Sequence, residues 1–424
     1  MSESEPFNGR VFANPAYRAL FGAAAVSNFG SMLQHIALPF LAIITLDATP
    51  ADIATLSAAG LLPAFLLGPI GSVFVDRLPR RSMLVATDWA RALLLAWVPF
   101  AAFAGELTLF SLHVVVALHG VFTFLFGAAH HAILPAIVAR HRLVEANGRL
   151  KAAEAVSEGA AFASGGWLIQ WLSAPIAIAV DAASYALSAL LLLGVPRDRP
   201  TPRDPEHDRP SIRGELRDGL RFLAGHPLLL PGALGQALLA MSWRIAGVVY
   251  LLYVYEALGF TPGVLGLVFA VGGLASLLGA IAAERVTPRL GVGPSMIVGA
   301  AGCGAATLLL PLAPGAGLVG LAVLIAHQLG DGFEVLFDVN HASLRQRETP
   351  HALLGRTVGG GAFLSAGAML LGLLLGGTLG ETLGLRATLV VSGAVGLLGA
   401  LLVALSPLRS HRGGRSVLSD DRRS

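Results

Sequence analysis

Five ionisable side chains recur at helical spacing in the last third of the chain. At intervals of four, three, four and three residues stand His327, Asp331, Glu334, Asp338 and His341. This spacing places them on one face of an α-helix, in a stripe of about 21 Å at the helical rise per residue. Because a charge facing lipid costs several kcal/mol, the stripe is expected to face protein or a water-filled cavity. Asp331 and Glu334, near the middle of the predicted helix, are our candidates for proton coupling. For Asp338 and His341 the alternative is a structural role in closing an inner gate.

A lone arginine stands at a similar predicted depth. Arg244 follows Trp243 near the middle of another apolar stretch, and an arginine at that depth demands a counter-charge or a polar cavity. We predict that Arg244 pairs with Asp331 or Glu334 and that substrate or a proton disrupts the pair. A permanent structural pair is the alternative.

The composition indicates what kind of element carries these residues. Of 424 residues, 55% are hydrophobic and only 13% are charged, whereas an ordinary soluble domain is about one quarter charged. The charges cluster between apolar stretches that are long enough to cross a bilayer. We therefore predict an all-α integral membrane protein with twelve transmembrane helices in two pseudo-symmetric halves of six. The helices are predicted near 17–43, 51–75, 82–104, 109–139, 153–172, 174–195, 228–256, 262–284, 292–313, 316–343, 357–380 and 385–405.

A charged, proline-rich segment, PRDRPTPRDPEHDRP, begins after the sixth predicted helix and is typical of a solvated linker. After it, apolar residues recur at helical spacing and predict an amphipathic helix, either on the membrane surface or as a soluble linker helix. The predicted division is a cytoplasmic tail at 1–16, one half at 17–195, the linker at 196–227, the second half at 228–405 and a disordered cytoplasmic tail at 406–424.

The positions of the basic residues orient the chain. Apart from Arg244 and Arg386, every Lys and Arg falls at a terminus, in alternate connections or in the helix ends that flank them. Because positive residues stay on the cytoplasmic side, both termini are expected to be cytoplasmic in a bacterial inner membrane. The net charge of +3 does not imply a nucleic-acid partner.

Two connections repeat along the chain. Residues of GSVFVDRLPRR have counterparts at one fixed displacement in GAIAAERVTPRL. Two such halves place a substrate site near the bilayer midplane, with access that alternates between its two sides. Asn28 and Gln236 are equivalent under the same displacement, as are His35 and Trp243. The predicted substrate cavity consists of Asn28, His35, Gln236, Trp243, His327 and Asp338.

The repeated connections also supply a predicted gate. Charges at a helix edge can pair with helix ends or acids in one state and release them in another. The candidates are Asp76, Arg77, Arg80 and Arg81, with Asp88 and Arg91 on the next helix as partners, and Glu284, Arg285 and Arg356 in the second half. Charges that only set the topology are the alternative.

The stretch DRLPRR resembles the signature of the major facilitator superfamily between its second and third helices. Pro79 stands where the family usually has a glycine. LVEANGRL at 143–150, DAASYALSALLLL at 181–193 and FDVNHASLRQRETPHALLGR at 337–356 resemble the branch that contains enterobactin exporters and macrolide efflux pumps. That branch often has an aspartate after a helix 1 glycine, whereas here Gly30 precedes Ser31. The resemblance implies proton-driven export of siderophores, antibiotics or other amphiphilic compounds.

These observations predict a secondary active transporter, namely a proton-coupled exporter of a small amphiphilic molecule. Its partners would be the substrate, protons and the lipid bilayer, and we expect a monomer. The chain has no GxxxxGK[ST] phosphate loop and one cysteine, Cys303. We therefore expect no ATP-driven activity, enzymatic reaction, cofactor or metal site. The alternatives are an importer or lipid flippase of the same fold, or a membrane receptor or assembly subunit that moves no ligand.

Overall fold

The structure is a computed structural model that describes residues 10–75, 79–196 and 212–412. Within these ranges the regular structure is helical throughout. The α-helices are α1 Pro15–Leu46, α2 Pro50–Val75, α3 Arg80–Ala104, α4 Leu109–Ile137, α5 Leu143–Leu172, α6 Ala174–Leu192, α7 Ile212–Gly225, α8 Leu229–Leu252, α9 Pro262–Leu290, α10 Val292–Leu309, α11 Leu318–Glu348, α12 Leu354–Leu383 and α13 Leu385–Leu405. The predicted all-α membrane fold is confirmed.

Eleven helices in the described part of the chain are long and apolar enough to cross a membrane. The remaining long helix, α5, has 30 residues and is less apolar because glycines, serines and Gln170 interrupt its hydrophobic half. The short α7 lies in the predicted linker. Twelve long helices and one linker helix therefore match the predicted count.

Several helices extend beyond the predicted spans. The prediction of 153–172 was wrong by ten residues at its start, since α5 begins at Leu143. Its first turns are polar, and Glu145 and Glu154 pair with nearby cations there, so the helix continues where hydropathy ends. For the same reason α11 runs on to Glu348. Hydropathy marks only the part of a helix that faces apolar surroundings.

The start of α1 is held by Asn14. Its carboxamide oxygen accepts hydrogen bonds from the backbone N–H of Ala16 at 2.9 Å and of Tyr17 at 3.4 Å. Such a cap satisfies N–H groups that have no partner within the helix. The Asn14 amide also donates to the Ile137 carbonyl at 2.8 Å, which ties the start of α1 to the end of α4.

The contacts divide the chain into two compact units. Unit 1 holds the described residues within 1–48, 58–208 and 261–267, and unit 2 holds those within 49–57, 209–260 and 268–424. The units differ from the predicted halves in two places: the start of α9 belongs to unit 1, and the start of α2 belongs to unit 2. In unit 1 the Gly263 N–H donates to Gln170 at 3.0 Å, and in unit 2 the Ala51 N–H donates to Glu381 at 3.2 Å.

The linker helix α7 packs against other helices of unit 2. Leu223 is buried in the same apolar cluster as Leu229 and Phe337. A Cβ at Gly219 would collide with the backbone carbonyl of Arg356, so the α7 and α12 backbones approach closely. At these positions α7 contacts other helices of unit 2.

Candidate functional site

The stripe predicted from spacing lies on α11 in unit 2, and the helix is continuous across it. At its first position, His327 Nδ1 lies 3.2 Å from the Ala306 carbonyl of α10. The His327 ring lies 5.7 Å from the ring of Tyr250 on α8. The stripe therefore begins among neighbouring helices and not in lipid, as the cost of exposed charge requires.

Asp331 lies against α9. A Cβ at Gly272 would collide with the Asp331 carboxylate and would approach the Gln328 amide to 2.5 Å. Glycine at this position gives the carboxylate its space beside the α9 backbone. Asp331 also acts electrostatically on Tyr250.

Glu334 and Asp338 follow Asp331 by about one and two turns. Both neighbouring carboxyl groups act electrostatically on Glu334, and all three act on Cys303 of α10. Carboxyl groups that interact in this way have coupled protonation equilibria. The three carboxyl groups can therefore bind a proton that a change in their surroundings would release.

At the far end of the stripe, α8 and α12 complete a small cavity. The Gln236 amide hydrogen-bonds to Asp338, and the Arg345 cation acts on the same carboxylate. The cavity has a volume of about 360 Å³, within the range of small-molecule sites. Its lining includes Gln236, Asp338, His341, Arg345, Val358 and Ser365. The predicted cavity residues Gln236 and Asp338 meet here, and sequence reasoning missed Arg345.

The predicted pair between Arg244 and Asp331 or Glu334 remains a prediction. The Arg244 guanidinium lies 5.1 Å from the Trp243 ring centre. The Arg244 Cβ would lie 3.0 Å from a Cβ at Gly372 of α12, whereas Asp331 lies against Gly272 of α9.

The other predicted cavity residues are Trp243 in unit 2 and Asn28 and His35 in unit 1. Trp243 is 54% exposed. Asn28 and His35 belong to α1 in unit 1, where His35 Nδ1 lies 2.7 Å from the Ser31 carbonyl. Their predicted role in a cavity with Gln236 remains a prediction.

The predicted gate residues are spread over several positions. Asp76 and Arg77 lie outside the described residues. Arg81 donates to the Leu193 carbonyl at the end of α6 at 2.8 Å, and Arg80 begins α3. Glu284 and Arg285 are near the end of α9.

Arg356 contacts the linker helix. Its guanidinium pairs with Asp218 of α7 at 3.1 Å, and both side chains are partly exposed. The linker helix is thus joined to the start of α12 by an ion pair as well as by close backbone packing.

Asp88 and Arg91 form a buried ion pair in unit 1. They pair with each other inside α3, and both are almost fully buried. Ser188 of α6 donates to the second Asp88 oxygen at 2.6 Å. The Arg91 guanidinium lies 4.1 Å from the ring centre of Phe126 and 4.2 Å from that of Tyr185. An arginine between two aromatic faces beside a carboxylate is compensated within the membrane.

Asp181 of α6 belongs to the same region, and sequence reasoning did not single it out. The signal was present, because Asp181 is the one charged residue in a largely apolar helix of 19 residues. A charge in such a helix is by default a functional candidate. Within the described ranges, no group of three or more His, Cys, Asp or Glu side chains could hold a metal ion.

A family model and two bacterial relatives match most of the chain. The model of the Major Facilitator Superfamily matches residues 20–359 and 232–421. The uncharacterized MFS-type transporter YfiS of Bacillus subtilis is 26% identical, and the alignment covers 89% of each chain. The enterobactin exporter EntS of Citrobacter koseri is also 26% identical, over 94% of each chain.

Solved structures have the same fold at low identity. A bacterial homologue of the iron transporter ferroportin, in its inward-facing state, superposes with a TM-score of 0.75 at 18% identity, covering 95% of this chain and 100% of that one. The nucleoside transporter NupG gives a TM-score of 0.71 at 13% identity, covering 92% of this chain and 98% of that one.

Proposed function

The chain belongs to the Major Facilitator Superfamily, and on this premise we propose that it is a proton-coupled exporter of small amphiphilic molecules. Membership makes it a multi-pass membrane transporter and not an enzyme. Export, coupling to protons and the class of substrate are the proposed parts.

The observation that carries the proposal is the row of three acids on α11. Asp331, Glu334 and Asp338 interact electrostatically, and Asp338 also lines the cavity. A proton taken up by one carboxyl group changes the charge that the others and Arg345 experience. Binding of substrate beside Asp338 would therefore be linked to protonation of the row, which is the requirement for coupled transport.

The lining of the cavity supports an amphiphilic substrate. Gln236, Ser365 and Arg345 supply polar groups, while Val358 and Ala233 supply apolar surface. Relatives named enterobactin exporters support export as the direction. We place both termini in the cytoplasm, as the distribution of basic residues indicates. The bacterial relatives support a bacterial inner membrane as the location.

The test is efflux of a panel of fluorescent amphiphiles from cells that express the protein, with and without a protonophore. We expect at least one compound to be lost in an energy-dependent manner, with loss abolished by the protonophore and by Asp331→Asn or Glu334→Gln. Glu106→Gln, at an exposed carboxyl group, is the matched control and should leave efflux unchanged. Accumulation instead of loss would contradict export, and insensitivity to the protonophore would contradict proton coupling.

A further inference from the structure

Unit 1 contains a second carboxyl group whose surroundings are those of a protonated acid. Asp181 is 0% exposed and lies seven residues after the start of α6. A Cβ at Gly30 of α1 would collide with both Asp181 and Ser184. The carboxyl group is therefore enclosed between the backbones of two membrane-spanning helices.

Few hydrogen-bond donors reach this carboxyl group. Ser184 donates to Asp181 Oδ1 at 3.2 Å and shares that hydrogen with the Asp181 backbone carbonyl at 2.7 Å. The other oxygen, Oδ2, is buried and makes no hydrogen bond with any described residue. An ionised carboxylate in this position would leave one oxygen desolvated and uncompensated.

The nearby cation is already engaged. Arg91 pairs with Asp88, and Asp88 also accepts a hydrogen bond from Ser188. Both Arg91 and Asp88 act electrostatically on Asp181. Two carboxyl groups thus share one guanidinium, and in this conformation its contacts are with Asp88.

The order of residues along α6 places Arg91 between the two acids. Ser188, Tyr185 and Asp181 recur at intervals of three and four residues, so they share one face of α6. Arg91 contacts the Tyr185 ring, while Asp88 contacts Ser188. A change in the side-chain torsions of Arg91 would move the guanidinium along this face from Asp88 towards Asp181.

Each element around the acid contributes groups that bear on its protonation. Those that titrate or carry charge are Asp88 and Arg91 on α3, Tyr185 on α6, His119 on α4 and His35 on α1. The described part of this cluster contains one permanent cation for two carboxyl groups.

We propose that Asp181 is a second proton-binding site, which holds its proton while Arg91 pairs with Asp88 and releases it when Arg91 moves to Asp181. The site belongs to unit 1, whereas the acids of α11 belong to unit 2. This inference deepens the proposed function, and its consequence for transport rests on proton coupling. The proton balance is simple, since Asp181 loses one proton to water or a neighbouring acceptor as the guanidinium becomes its counter-ion.

Infrared spectroscopy of the purified protein in liposomes tests the site without a substrate. A protonated carboxyl group has a C=O band distinct from that of a carboxylate. At neutral pH we expect Asp181→Asn to remove one such band. Asp181→Glu should shift the band, and Asp47→Asn, at an exposed loop residue, should leave it unchanged. Persistence of every protonated-carboxyl band in Asp181→Asn would overturn the proposal.

A second variant tests the role of Arg91 and distinguishes this site from the α11 acids. Asp88→Asn frees Arg91, so we expect the Asp181 band to weaken or disappear in that variant. An undiminished Asp181 band would contradict the exchange of partners. Because neither spectrum uses transport, failure of the export test with Asp331→Asn and Glu334→Gln would refute the proposed function and leave the infrared result standing.

Discussion

The side-chain amide of Gln236 on α8 hydrogen-bonds to Asp338 of α11. The Oε1 atom of the same Gln236 side chain is buried and makes no hydrogen bond with the described residues. One amide thus joins two helices at the wall of the cavity. A buried acceptor without a partner costs about 1–3 kcal/mol. A ligand that donates a hydrogen bond to Oε1 would remove this cost.

Gln236→Leu should weaken substrate binding more than it weakens folding. It removes the bond to Asp338 and the free acceptor together while keeping most of the side-chain volume. We expect the KM for an exported compound to rise by about tenfold, the equivalent of roughly 1.4 kcal/mol. Concentration-dependent efflux measures this. Gln328→Leu, outside the lining of this cavity, is a comparison variant, and an equal rise in KM in both would contradict a specific contact at Gln236.

Gly272→Ala should impair transport by displacing Asp331. The added methyl group occupies the space of the Asp331 carboxylate, so the side chain must adopt another rotamer. The adjacent Gly273→Ala is the matched control, because nothing in the described structure lies within 4 Å of a Cβ there. Efflux should fall in Gly272→Ala and remain near wild type in Gly273→Ala. Equal activity of the two variants would show that the position of Asp331 does not matter.

The ion pair between Arg356 and Asp218 should contribute little to stability. Their side chains are 31% and 45% exposed, and pairs of this kind are worth about 0–1 kcal/mol. A double-mutant cycle with Arg356→Gln and Asp218→Asn, followed by thermal unfolding in detergent, measures the coupling energy. A coupling well above about 1 kcal/mol would contradict this estimate.

Stability should depend on pH through His226, which lies between α7 and α8. Its Nδ1 accepts from the N–H groups of Leu228 and Leu229 at 3.3 Å, and its Nε2 lies 3.8 Å from Glu348. Burial lowers the pKa of His226 below its ordinary value of 6.5, and the Glu348 charge opposes the shift in part. The unfolded chain therefore binds the proton first as the pH falls. The contribution of His226 is complete above the unfolded value of 6.5 and is lost as the pH falls from there towards the lower folded value.

Thermal unfolding of wild type and His226→Asn across this pH range measures the effect. Asparagine can still cap the start of α8 but does not titrate. On acidification, the stability of His226→Asn should fall less than that of the wild type. A variant whose pH profile equals that of the wild type would contradict a role for His226.

Much of the fold was predictable because hydropathy and proline placement act locally. The apolar stretches marked the twelve long helices, and helical spacing put His327 through His341 on one face. The start of α5 was not predictable from hydropathy, since side-chain ion pairs extend the helix beyond its apolar part. The neighbours of Arg244 were also inaccessible, because depth in a helix does not tell which helix a side chain faces. Asp181 was missed although its isolated charge was visible in the sequence.

The central claim is that proton movement drives export, and transport in proteoliposomes under an imposed pH gradient tests it most directly. The compound identified by the efflux panel is loaded, a gradient is applied by dilution, and its release is compared for wild type and Glu334→Gln. We expect the gradient to accelerate release by the wild type and to have no effect on the variant. Equal release by the wild type with and without the gradient would contradict the account.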